Sequence, residues 1–229
     1  VMTLIDEAQA ESIYAKMGTA MEMSGGSAAN TIAGVAALGG KGGFIGRVRN
    51  DQLGEIFGHD IRSGGVAYKT TPATEGKSTA RCFVFVTPDA ERTMLTFLGA
   101  STEIDKTDID PDLIASAKVT YMEGYLWDDP RAKAAISDAA AIAHKNDRKV
   151  ALTLSDPFCV ERHRDTFLEL ISDQVDILFA NEAEVMSLFQ TDTFEEAAKR
   201  VSAFTGVAVL TRSAKGSVVV ADGEQVSVP

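Results

Sequence analysis

The sequence predicts an α/β fold: a mainly parallel central sheet with helices on both faces, joined to a small β-sheet. Three observations predict it. From residue 119 onward, short apolar runs (VTYMEGY, KVALTLS, DILFAN, VAVLT, SVVVA) alternate with helical stretches through short connections. That is the pattern of parallel strands linked by crossover helices. Between Val66 and Leu98 the apolar period drops to two, as in a hairpin wet on one face. The chain has 229 residues, 45% hydrophobic and 24% charged, enough for one large domain or a domain with a small appendage.

Each element has its own justification. DEAQAESIYAKM (6–17) is a helix with Asp6 as its cap. MSGGSAANTIAGVAALGG (23–40) opens on two glycines and becomes an alanine-rich helix near Ser27. Small residues on every side of it (Ala28, Ala29, Ala33, Ala36, Ala37) predict close packing against its neighbours. After the glycine-rich turn LGGKGGFIG, LGEIFGHDIRSGG is a helix stopped at Gly64-Gly65. TARCFVFV and TMLTFL around the turn TPDAER form the hairpin. DDPRAKAAISDAAAIAHKN is a helix with an aspartate cap and Pro130 in its first turn. HRDTFLELISD, EAEVMSLF and TFEEAAKRVSAF are further helices, and the strands named above fill the gaps.

Composition narrows the function. The net charge is -11 and no basic run stands out, which argues against nucleic acid and anionic membrane as partners. Cys82 and Cys159 lie far apart, so neither a disulfide framework nor a cysteine metal cage is expected, and a reducing cytoplasm fits. No apolar run reaches membrane length and no signal pattern opens the chain. Val1 at the start and a stop at Val228-Pro229, directly after the strand-like QVSV, lead to the expectation of a fragment cut at both ends.

In a parallel sheet ligands collect beyond the carboxyl ends of the strands, which singles out Glu123, Asp156, Asn181 and Thr211. Asn181 and Glu184 are read in two ways. They are a helix cap with an acidic first turn, or they hold Mg²⁺ through water as hard oxygen ligands. Thr211 and the turn SAKG (213–216) are either a tight turn with Gly216 left-handed or a lining for nucleotide phosphate and ribose. Gly25-Gly26 is either a loop pair before a packed helix or an opening through which a polar ligand meets main-chain amides at a helix N-terminus. Asn30, with donor and acceptor atoms, suits paired sugar hydroxyls. His59, His144 and His163 lie on polar helical stretches without metal-ligand spacing and are expected at the surface. No G-x-x-x-x-G-K-[ST] or G-x-G-x-x-G occurs, which sets aside a P-loop and leaves a dinucleotide oxidoreductase as a distant alternative.

Taken in order, GGSAANTIAGVAALGG and FIGRVRNDQLGEIFGHDIRSGGV resemble the first signature of the PfkB, or ribokinase-like, kinase family. ILFANEAEVMSLF resembles its Asn-x-x-Glu segment, and VAVLTRSAKGSVVV its strand–turn–strand near ATP. ERTMLTFLGAS, LSDPF and DILFANEAE look closest to the adenosine-kinase-like branch. The resemblance implies a ribokinase-like core of residues 1–65 and 99–229 with a hairpin lid at 66–98. It implies ATP and Mg²⁺ as cofactors and, as partner, a small nucleoside or sugar bound by a cytoplasmic monomer or homodimer. Gly25, Gly26 and Asn30 would meet the acceptor's hydroxyls, with Glu123 as a further substrate contact. Asn181, Glu184, Thr211, Ser213 and Gly216 would serve the nucleotide side, Glu184 organising the metal through water. The family has glycine where Ser213 stands. Its catalytic Gly-Ala-Gly-Asp segment would follow Pro229, so no catalytic residue is assigned within the 229 and the piece alone is expected to be inactive.

The implied reaction moves the γ-phosphoryl of ATP to a hydroxymethyl group of an adenosine-like nucleoside. The alternatives are a sugar kinase acting on ribose, fructose or a keto-sugar acid, and a non-catalytic nucleoside- or sugar-binding relative.

Overall fold

The computed structural model describes residues 2–203 and 206–229. The last residue of the predicted helix TFEEAAKRVSAF, Phe204, lies outside them, as does Val1 of VMTLID. The chain divides into two compact units, one ending at Ile109 and the other beginning at Asp110.

The first unit carries β1 (Met2–Leu4), α1 (Glu7–Tyr14), α2 (Ser27–Ala37), β2 (Gly43–Phe44), α3 (Gln52–Ser63), β3 (Ala67–Tyr68), β4 (Arg81–Val86) and β5 (Arg92–Phe97). The hairpin forms as the alternation predicts, Arg81 opposite Phe97 and Val86 opposite Arg92. β1, too short to show a period, adds to it in parallel, Met2 beside Met94. Its core is Ala10, Phe83 and Phe97, backed by Ile5, Ile13, Met17 and Leu95. Asp6 caps α1 as expected, accepting from Gln9 N–H in a reciprocal capping box. The helix ends at Tyr14, short of the predicted Met17.

A second cluster joins Ala29, Ile61, Val66 and Tyr68, with Phe44 and Phe57 packed against it. Tyr68 donates from its hydroxyl to the Gly46 carbonyl at 3.0 Å, and burial pushes its pKa up to about 12. α2 departs from expectation. Only its Ala29, Ile32 and Ala36 side turns inward, while Ala33 and Ala37 are exposed. Small side chains permit close approach, but a short helix on a small unit has one face to bury.

The second unit carries α4 (Pro111–Ser116), β6 (Val119–Glu123), α5 (Pro130–Lys145), β7 (Lys149–Thr153), α6 (Pro157–Gln174), β8 (Ile177–Asn181), α7 (Glu182–Phe189), α8 (Phe194–Val201), β9 (Val207–Thr211), β10 (Ser217–Ala221) and β11 (Glu224–Val228). The sheet runs β11-β10-β9-β8-β7-β6, parallel from β6 to β9 and antiparallel across β10 and β11. This is the predicted mainly parallel sheet. Val150, Ala151 and Leu152 are consecutive in β7 and all buried, so cover lies on both faces there. Phe167, Ile171, Leu178, Leu188 and Leu210 complete the core.

α6 begins at Pro157, six residues before the predicted start, behind an Asp156 cap, and is broken at His163 (φ -125°, ψ 19°). His163 is not the surface residue expected. Its side chain is largely covered, its Nε2 lies 2.5 Å from Asp128, and its ring meets Phe167 edge-on. His144 likewise has a partner, Asp176 at 3.0 Å.

Candidate functional site

The parallel register brings strand ends level. Glu123 ends β6 opposite Thr153 of β7, and Asn181 ends β8 directly beside Thr211 of β9. Of the residues singled out from the sequence, Asn181, Glu184 and Thr211 are therefore neighbours at the carboxyl ends of the central strands.

Asn181 and Glu184 form a complete capping box at the start of α7. The Asn181 side-chain oxygen accepts from Glu184 N–H at 2.9 Å, and Glu184 Oε2 accepts from Asn181 N–H at 2.9 Å. Asn181 Nδ2 also donates to Glu184 Oε1 at 2.6 Å. Glu184 is only 5% exposed, and no cation among the described residues pairs with it. Burial raises its pKa, the bond from Asn181 N–H opposes the shift, and the Asp156 charge adds to it.

Tyr125 reports the same excess of negative charge. Burial raises its pKa to about 12, and Asp156, Glu184 and Glu123 push in the same direction. Its hydroxyl donates to the Ser155 carbonyl at 3.2 Å, and its N–H to Ser155 Oγ at 3.3 Å. Ser155 holds φ +75°, a conformation strained for a residue with a Cβ and often found at working sites. Asp156 itself accepts from Cys159 N–H at 2.8 Å. Glu123 is 9% exposed. Buried acids at strand ends without a cation partner for Glu184 are compatible with a hard divalent ion held through water. Among the described residues no group of three or more His, Cys, Asp or Glu is arranged to ligate a metal directly.

The turn after Thr211 runs through a one-turn 3₁₀ segment, Ser213–Lys215. Ser213 holds φ +53°, which is the physical reason a glycine suits that position. Gly216 holds φ +78°, ψ -136°, and a Cβ there would lie 2.1 Å from the Val228 carbonyl oxygen. The conformation is not the left-handed helical one expected but a region open to glycine, and β11 leaves no room for a side chain. Sequence reasoning passed over Arg212. Its guanidinium lies 3.8 Å from the Phe194 ring centre and donates to Glu182 at 3.0 Å.

In the first unit Gly26 caps α2 at φ 108°, ψ 141° without a side-chain cap hydrogen bond. Asn30 is exposed one turn on, and a Cβ on Gly25 would sit 4.0 Å from its side-chain oxygen. Ser24 Oγ donates to Asp60 of α3 at 2.7 Å and ties this loop down.

The chain matches the family model for pfkB family carbohydrate kinase over residues 2–229. A 5-dehydro-2-deoxygluconokinase of Clostridium botulinum (strain Alaska E43 / Type E3) is 26% identical over 202 residues, 83% of this chain and 60% of the relative. A probable fructokinase-6, chloroplastic, of Arabidopsis thaliana is 32% identical over 120 residues, 51% of this chain and 31% of the relative. The chain spans 60% and 50% of the length of the first two curated relatives it matches. The crystal structure of adenosine kinase from Sinorhizobium meliloti superposes with a TM-score of 0.93 at 51% identity, covering 99% of this chain and 70% of that one. That of a probable sugar kinase protein from Rhizobium etli CFN 42 gives 0.94 at 53%, covering 99% and 69%. No helix among the described residues is long and apolar enough to cross a membrane.

Proposed function

The chain belongs to the pfkB family of carbohydrate kinases, and on that premise we propose that it is the greater part of an ATP-dependent nucleoside kinase. The reaction carries the γ-phosphoryl of ATP to a hydroxymethyl group of an adenosine-like acceptor. One observation carries the reading most directly: Asn181, Glu184 and Thr211 lie side by side at the carboxyl ends of β8 and β9.

Each residue has a task there. The turn from Thr211 through Ser213 to Gly216 presents main-chain amides and the Thr211 hydroxyl to the nucleotide. Asn181 and Glu184, locked by their mutual bonds, keep a carboxylate fixed without a side-chain rearrangement. Glu184 would hold Mg²⁺ through water, and the ion's positive charge would offset the repulsion between a triphosphate and an acidic chain. Gly25, Gly26 and Asn30 bind the acceptor's ring hydroxyls, and Glu123 adds a polar contact. The hairpin of β4 and β5, within the proposed lid of residues 66–98, closes to exclude water, a competing phosphoryl acceptor. Alignment and charge stabilisation make up most of such catalysis. The proposed core comprises 1–65 and 99–229, acting in the cytoplasm as a monomer or homodimer on small molecules.

A sugar acceptor is the second reading, favoured by the 53% identity to a structure described as a probable sugar kinase. The protein containing this chain, assayed with MgATP against adenosine, ribose, fructose and a keto-sugar acid, separates the two. The first reading requires kcat/KM for adenosine at least about tenfold above any sugar. No transfer to adenosine refutes it, and binding without transfer to any acceptor points to a non-catalytic relative.

A further inference from the structure

We infer that Arg212 is a positioning residue for the nucleotide, setting the turn after β9 against the start of α7. This rests on the reading of that turn as the nucleotide side.

The turn has little to hold it in place by itself. Its internal bonds are Arg212 N–H to the Gly216 carbonyl (2.8 Å), Lys215 N–H to Arg212 (3.0 Å) and Gly216 N–H to Ser213 (3.1 Å). None of these reaches α7. The Arg212 side chain makes that link. It donates to Glu182 Oε1 at 3.0 Å and lies 3.6 Å from Glu195 of α8. Its guanidinium stacks on Phe194, itself buried. Lys215, at the other end of the turn, reaches the same Glu182 oxygen at 3.7 Å. Hydrogen bonding from Arg212 is the first cause holding the Glu182 carboxyl below its ordinary pKa.

Glu182 follows Asn181 directly and is the first residue of α7. One carboxylate is thus clasped by both ends of the turn and stands next to the Asn181–Glu184 box. A planar guanidinium can stack on a ring and donate in its own plane at once, whereas a lysine ammonium cannot do both. The Nε of Arg212 is buried with no protein partner. In this stacked pose one of the guanidinium donors is left unused. Moving the turn by a fraction of an ångström against the box would misdirect amides meant for phosphate oxygens.

The test uses the protein containing this chain, MgATP and the acceptor it turns over. Arg212→Leu and Arg212→Lys should each raise KM for ATP five- to twentyfold, with the acceptor KM within twofold of the unaltered protein. Glu182→Gln, at a half-exposed site that tolerates the change, should reproduce the effect. Adding Arg212→Leu to Glu182→Gln should then cost less than a further twofold. An unchanged ATP KM in both Glu182→Gln and Arg212→Lys overturns the inference, as does an equal rise in the acceptor KM. Asn181→Ala is the control for the underlying reading. If it raises ATP KM and the Arg212 and Glu182 variants do not, only this inference fails. If none of the three alters ATP kinetics, the nucleotide-side assignment fails with it.

Discussion

Replacing Glu184 with glutamine separates its observed role as a helix cap from its proposed one as a metal-side carboxylate. Glutamine retains one acceptor oxygen, so of the bonds from Asn181 N–H (2.9 Å) and Asn181 Nδ2 (2.6 Å) one survives. Losing the other costs about 1 kcal/mol. Against that stands the charge. Burial raises the Glu184 pKa, so the stability the carboxyl contributes is complete below its ordinary value, about 4.3, and is lost as pH rises through the raised one. Above that raised value the carboxylate is a net burden that the amide removes. The two effects oppose, and Glu184→Gln should unfold within about 1 kcal/mol of the parent, a Tm change of about 2–4 °C or less. Phosphoryl transfer, by contrast, should fall by about 100-fold or more, the scale of about 3 kcal/mol for a lost transition-state electrostatic contact. Denaturant melts and a coupled ADP-release assay on the protein containing this chain measure both. Turnover within threefold of the parent would show that Glu184 is a cap and nothing more.

Four other perturbations have defined outcomes. Ser213→Gly relieves a positive φ and should stabilise by about 0.5–1 kcal/mol, while Gly216→Ala, whose Cβ would meet the Val228 carbonyl at 2.1 Å, should cost about 2–4 kcal/mol in urea titrations. Asp176 is held below the ordinary carboxylate range: burial works against this, but Lys149, the Val150 N–H and His144 outweigh it. Its depressed folded pKa gives stability that is present above the unfolded value and lost as pH falls through the folded one. The stability gap between parent and Asp176→Ala, about 1–2 kcal/mol at pH 7, should therefore close as pH drops below about 4. Burial pushes the Cys159 thiol up to about 12, whereas Cys82 is exposed. A thiol-reactive dye on the native protein at pH 8 should label Cys82 rapidly and Cys159 only on unfolding; rapid labelling of both would contradict the burial of Cys159 beside the Gly124 carbonyl.

Much of the fold was legible because its signals are local. Asp129 before Pro130, Asp6 before its helix, and the switch from period two to alternating strand and helix all lie within a few residues of what they specify. β1 was not legible, since three residues carry no period and its partner is about ninety residues away. The start of α6 was hidden by an exposed Phe158 and by the break at His163, which destroys the helical period across the junction. At the site, Asn181 and Glu184 stood out through their spacing. That spacing is also what a capping box requires, so sequence alone left the two readings open. Arg212 left no trace in the sequence: its partners Glu182 and Phe194 come from two helices that meet it only in the folded unit. Tyr125 and Ser155 were missed for the same reason, their strain and charge environment arising from strand ends far apart in the chain.

Hydrogen exchange read by mass spectrometry, with and without MgATP, tests the nucleotide-side assignment most directly. Slowed exchange in peptides spanning 181–185 and 211–217, with β6 to β9 interiors unchanged, is the result this account requires. Protection confined to other segments, or none at saturating nucleotide, would contradict it.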